Sequence, residues 1–244
     1  MNVQNFAALA VGLAALSPAS AGATAIFVAN HSFEDQVLTD GGFVNGFPPA
    51  GWSSGLAEPS GPLNPLDTEF AGPVPDGQNV MFSATGYDGT PYYSGDVYQN
   101  VAASLAANTR YTLTVDVGRS LNADLADFAV ELAGGSFLNF ATLASGSFDD
   151  LAAGQFRTLT VTFDSLAAQD MPLWIRLRTT HNPQQGQTQR IAFFDNVRLD
   201  ASPLDAAAVP EPSAWAMMIL GFAGAGAALR RRHGPLSATA SPRG

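Results

Sequence analysis

An all-β sandwich followed by one C-terminal transmembrane helix is the architecture this 244-residue chain predicts, and three observations carry it. Short segments of alternating apolar and polar residues recur through 25–199. Glycine and proline fill the intervals between them. No long stretch of that span repeats its apolar residues at helical spacing, so short strands joined by turns are the expected units.

Residues 25–29 form a brief first strand. The stretch Gly41 to Gly77 has seven prolines in thirty-seven residues and reads as irregular structure. Residues 79–84 and 96–101 are short strand candidates. Residues 111–117 alternate cleanly, with Tyr111, Leu113, Val115 and Val117 on one face, and 127–132 pairs nearby. Residues 156–163, 173–178 and 191–199 complete the set. In 173–178, Leu173, Ile175 and Leu177 point one way, while Trp174, Arg176 and Arg178 point the other. An Ala-, Ser- and Pro-rich spacer, 200–209, follows.

Both ends read as addresses. Residues 1–23 carry an apolar run, Phe6 to Leu16, then small residues suited to cleavage, and form a signal peptide. Near the other end, Pro210-Glu211-Pro212 precedes sixteen uncharged residues, 214–229, and then Arg230, Arg231 and Arg232. Sixteen helical residues span about 24 Å. Trp215 and the arginines lengthen that reach by snorkelling to the interfaces, and the positive-inside tendency puts the arginines in the cytoplasm. The order of these residues resembles the PEP-CTERM sorting signal, which implies processing by an exosortase-type enzyme. The resulting division is signal peptide 1–23, sandwich domain 24–205, sorting signal with transmembrane helix 206–232 and cytoplasmic tail 233–244. The implied location is the bacterial inner membrane with the domain outside, then the cell surface or beyond after sorting.

Composition narrows the chemistry. There is no cysteine, which excludes disulfides, thiolate metal sites and cysteine nucleophiles. The net charge is −10 and every one of the 11 basic residues is arginine, so the chain repels nucleic acid. The three histidines, at 31, 181 and 233, lack metal-ligand spacing.

The motifs Asn30-His-Ser-Phe-Glu34, Pro49-Ala-Gly-Trp52, Tyr98-Gln99 and Phe194-Asp-Asn-Val-Arg-Leu199 resemble those of the galactose-binding-like jelly roll, the DUF642 type included. That resemblance implies a jelly-roll sandwich with Glu34 and Asp195 meeting around a structural calcium, Asn30 and neighbouring carbonyls supplementing them. Hard oxygen donors of this kind suit Ca²⁺. The competing reading has Glu34 capping a turn and Asp195 bonding backbone amides.

Tyr87, Asp88, Tyr92 and Tyr93, with Trp174 on the arginine-bearing face, are the candidate ligand-binding residues: flat rings cover a sugar's apolar face and carboxylates take its hydroxyls. The same rings could equally anchor loops. The resulting expectation is an exported, surface-anchored protein without catalysis, associated with extracellular polysaccharide. The alternatives are a structural or adhesive protein that binds another protein and, outside both, an enzyme with Asp88 or Asp96 as its acid.

Overall fold

The computed structural model describes residues 22–54, 59–85, 94–137, 139–180 and 189–204, and further on 219, 220 and 222. The chain divides into two units, Ala21–Leu204 and a second made of Met1–Ser20 with Asp205–Gly244. Of the second unit only 219, 220 and 222 are described, and they are helical. Among the described residues no helix is long and apolar enough to cross a membrane. The signal peptide and the apolar segment 214–229 lie almost wholly outside them.

The first unit is a sandwich of eleven strands: β1 (Thr24–Ile26), β2 (Ser53–Ser54), β3 (Ser60–Leu63), β4 (Val80–Thr85), β5 (Asp96–Leu105), β6 (Thr109–Gly118), β7 (Asp127–Ser136), β8 (Asn139–Gly146), β9 (Phe156–Ser165), β10 (Gln169–Thr180) and β11 (Arg190–Pro203). One sheet runs β3-β4-β11-β6-β9, with β1 also on β11; the other runs β2-β5-β10-β7-β8. All the strand pairs are antiparallel. Long β11 serves two neighbours on one side, pairing with β4 through 190–194 and with β1 through 199–201. Its register on β6 breaks between Asp195 and Arg198, where Asn196 takes a left-handed φ of 51°. That bulge aims Asp195 inward.

The alternation seen in 111–117 and 173–178 builds the main core. Leu113, Val115, Val117, Leu173, Ile175 and Leu177 are fully buried between the sheets. Tyr111 closes one edge: its hydroxyl accepts from Ala106 N at 2.7 Å and donates to Ser104 O at 3.1 Å. Tyr111→Phe strands both partners, and a loss of about 1–2 kcal/mol is expected in urea unfolding. An unchanged midpoint would mean that water replaces the hydroxyl without cost.

Three strands escape the sequence pattern. β2 and β3 lie in the Gly/Pro-rich stretch, and β8 is too polar and exposed to show a clear period. β3 tolerates Pro62 because β4 faces it on one side and an irregular strap on the other. From that strap Val44 N donates to Pro62 O at 3.0 Å and Gly46 N to Ser60 O at 3.0 Å.

The strap and the loop 64–79 lie on the outer face of the β3-β4-β11 region and give it a second, smaller core. Leu63, Phe70, Val80 and Phe193 are buried there, with Val74, Phe82, Phe156 and Ile191 packed against them. Strands β4 and β11 therefore alternate between two cores. Met81, Ala192 and Phe194 point into the main one, and Val80, Phe82, Ile191 and Phe193 into the second.

Candidate functional site

The second core is not filled. A cavity of about 430 Å³ opens in it, lined by Phe43, Leu63, Phe82, Ile191 and Phe193 with Asn45, Pro59, Glu69 and Gln189. Phe43, on the strap, is 62% exposed and meets Phe82 edge-on at 6.1 Å, forming the mouth. Among the described residues no arginine or histidine lines the space, and Glu69 is the one ionisable group there. The Glu69 Oε2 atom is buried without a hydrogen-bond partner. Burial pushes its carboxyl above the usual glutamate range, because apolar walls disfavour the charged form. A carboxylic acid biased towards its protonated state, beside aromatic faces, is equipped to give a proton and to shelter the cation that results.

The residues singled out from the sequence lie elsewhere. Tyr87, Asp88, Tyr92 and Tyr93 are outside the described residues, as are Pro210, Glu211, Pro212, Trp215, Arg230, Arg231 and Arg232. Trp174 is on the outer face of the other sheet. Its Nε1 donates to Gly135 O at 2.9 Å, and its ring packs with Tyr98, Phe137 and Phe140. Beside it Arg176 pairs with Asp96 at 2.6 Å and with Glu131 at 3.1 Å. Asp96 is thus an ion-pair partner of Arg176 and is not among the residues that line the apolar cavity.

Glu34 and Asp195 do reach one place, the loop 76–79. Glu34 Oε1 accepts from Gln78 N at 2.8 Å and from Asn79 N at 2.6 Å. Gly77 permits this approach, because its φ is +80° and a Cβ there would overlap the Glu34 carboxyl. Asp195, with no exposed surface, accepts from Asp76 N at 2.9 Å and from its neighbour Asn196 N at 2.6 Å. Burial, and secondarily the charges of Asp76 and Asp116, pushes Asp195 up to about 8, despite the amides that oppose the shift. Asn30 is spent locally: it accepts from Asp35 N and donates to Ala50 O, each at 3.2 Å. The donor chemistry is right for a hard cation, since Asp76, Asp116 and Asp195 supply oxygens. The described residues hold no group of three or more acidic or histidine side chains already arranged around one point.

A family profile described as HpiC1 cyclase matches residues 24–200, almost the whole sandwich. The chain belongs to the HpiC1 cyclase family. Solved structures agree. A Stig cyclase, FisC, from Fischerella sp. TAU, in complex with (3Z)-3-(1-methyl-2-pyrrolidinylidene)-3H-indole, is 26% identical with a TM-score of 0.62, over 75% of this chain and 100% of that one. A cyclase from Fischerella sp. TAU in complex with 4-(1H-indol-3-yl)butan-2-one is also 26% identical, with a TM-score of 0.60 over the same shares. The apo form of a cyclase from Fischerella sp. is 25% identical, with a TM-score of 0.61 over 75% of this chain and 98% of that one. No curated protein matches the chain. A second profile, the PEP-CTERM protein-sorting motif, matches 208–232, so this HpiC1-family chain carries an export and surface-sorting signal of the kind an exosortase-type enzyme processes.

Membership of the HpiC1 cyclase family overturns the galactose-binding-like jelly roll, and with it the non-catalytic, carbohydrate-associated role. The sandwich itself is real; its family was misread. The residues behind the misreading sit at the first-strand turn and the β11 bulge. They describe how the two ends of a sandwich are tied together and carry no information about its ligand. Sequence reasoning missed Phe43, Glu69, Phe82 and Phe193 because they come from four separate segments. One signal was present: Ile191-Ala-Phe-Phe194 is apolar at every position, as a strand covered on both faces must be.

Proposed function

We propose that this protein is an exported cyclase that closes a ring on an indole-class substrate in the phenylalanine-lined cavity, with Glu69 as proton donor. Glu69 is the observation that carries the reading: a carboxyl that burial biases towards its protonated form, unpartnered at Oε2, in a space lined mainly by apolar side chains. The cavity volume lies within the range of about 300–1,000 Å³ usual for small-molecule sites. The indoles bound by the two Fischerella cyclases support the substrate class.

The chemistry is redox-neutral. Glu69 gives its proton to an unsaturated carbon or nitrogen of the substrate, leaving an electrophilic centre. An electron pair from the substrate's own π-system forms the new ring bond, and a proton lost from the ring returns to the Glu69 carboxylate. Phe43, Phe82 and Phe193 offer ring faces to the transient cation and keep water from quenching it.

Two finer points join this proposal. The segment 214–229 holds the domain on the outer side of the inner membrane until the sorting signal is processed. Calcium, bound through Asp195 with Glu34 near it, ties the bulge of β11 to the loop 76–79.

Calorimetry with 4-(1H-indol-3-yl)butan-2-one tests the pocket. Saturable binding is expected, weakened about tenfold or more by Phe82→Ala, since removing that ring forfeits roughly 1.5 kcal/mol or more of apolar contact. No saturable heat from folded protein rejects the indole reading.

A further inference from the structure

Among the described residues the Glu69 Oε2 atom has no hydrogen-bond partner to fix its depth, so something else must. Its backbone is held at two points: Glu69 N donates to Leu66 O at 2.9 Å, and Leu121 N donates to Glu69 O at 2.8 Å. Two residues on, Ala71 N donates to Gly154 O at 2.9 Å. Between these anchors stands Phe70, only 6% exposed. Its ring centroid is 4.6 Å from that of Phe156 and 5.3 Å, edge-on, from that of Phe193. Phe193 is in turn a wall of the substrate cavity.

The other side of Phe70 is different. A second cavity of about 200 Å³ lies there, and Phe70 shares its lining with Asp40, Asn64, Asp67 and Gln78. A space with that lining holds water readily. Phe70 thus lines the polar space, while its chain neighbour Glu69 and its ring partner Phe193 line the apolar one.

We propose that Phe70 is a positioning residue for the acid: its ring, wedged between Phe156 and Phe193, sets how deep Glu69 sits and closes the substrate cavity off from the polar one. The inference rests on Glu69 being the proton donor. Phe70 touches no reacting atom in this scheme and acts through the hydration of its neighbour. Truncating the ring joins the two cavities, admits water to the carboxyl and makes its ionised form less costly.

The test is a carbon-13 titration of the glutamate carboxyls in residues 21–204. This unit is compact and has its own core, and related cyclases solved as separate chains are matched over their full length by 75% of this chain. It contains four glutamates, at 34, 58, 69 and 131, so Glu69→Gln identifies the Glu69 resonance by its loss. In Phe70→Ala the Glu69 midpoint is expected to fall towards the ordinary glutamate value. Phe70→Leu, still apolar, is expected to give a smaller fall in the same direction, and it decides the matter if Phe70→Ala does not fold. A folded variant whose Glu69 midpoint equals that of the wild type overturns the assignment. Binding of 4-(1H-indol-3-yl)butan-2-one to the wild type is measured alongside. If the indole fails to bind while the Phe70 variants still shift the midpoint, the functional reading falls and the positioning role stands.

Discussion

Glu69→Gln is expected to lower turnover of an unsaturated indole substrate by about 10² to 10⁴-fold, the range typical of a lost general acid. The amide keeps the shape of the side chain and cannot deliver the proton. Binding of 4-(1H-indol-3-yl)butan-2-one should therefore stay within about twofold of the wild type, placing the loss in kcat rather than in affinity. The pH profile supplies an independent check. Glu69 acts in its protonated form, so kcat/KM is high at low pH and falls as pH rises through the carboxyl's folded-state value. Burial raises that value, so the fall should come at higher pH than for an ordinary glutamate. Full turnover by the Gln variant, or a profile without that falling limb, would falsify the assignment of the acid.

The second large effect concerns Asp195, whose carboxyl is buried and pushed up to about 8 from an ordinary 3.8. A folded-state value above the unfolded one means that the folded protein holds the proton more tightly. The stability this confers is complete below the unfolded value and drains away as pH rises through the folded one. About four units at 1.36 kcal/mol each give a loss on the order of 5 kcal/mol between about pH 4 and pH 8. In chelator, the melting temperature should fall across that window, and Asp195→Asn should flatten the fall, since the amide has no proton to lose. Calcium should act in the opposite sense. A cation at the bulge favours the ionised carboxylate, so adding it at pH 8 should raise the melting temperature by linkage. A wild-type profile as flat as that of the Asn variant would show that Asp195 is not the titrating group, and no response to calcium at pH 8 would end the metal proposal.

The sandwich was legible wherever one face of a strand is buried and the other is not. Tyr111 to Val117 and Leu173 to Arg178 announce themselves because alternate residues meet different surroundings. The cavity was illegible for the complementary reason. Its wall is built on β4 and β11, which are covered on both faces, and on a strap and loop whose positions are set by hydrogen bonds to β3 and to the 119–122 and 154–155 turns. Glu69 has nothing in its local sequence to separate it from Asp67 or Asp76; only the fold shows that its carboxyl is the one walled in by phenylalanine. Glu34 and Asp195 both bond the loop 76–79. What they join is chain to chain, and a substrate need never come near them.

The strand β11 carries two inheritances on one thread. Ala192 and Phe194 pack into the main core of the sandwich; Ile191 and Phe193 line the outer cavity. Changes at the second pair can re-tailor the chamber while the first pair keeps the fabric whole. Editing alternate residues of this one strand therefore reshapes the chamber and leaves the packing between the sheets in place.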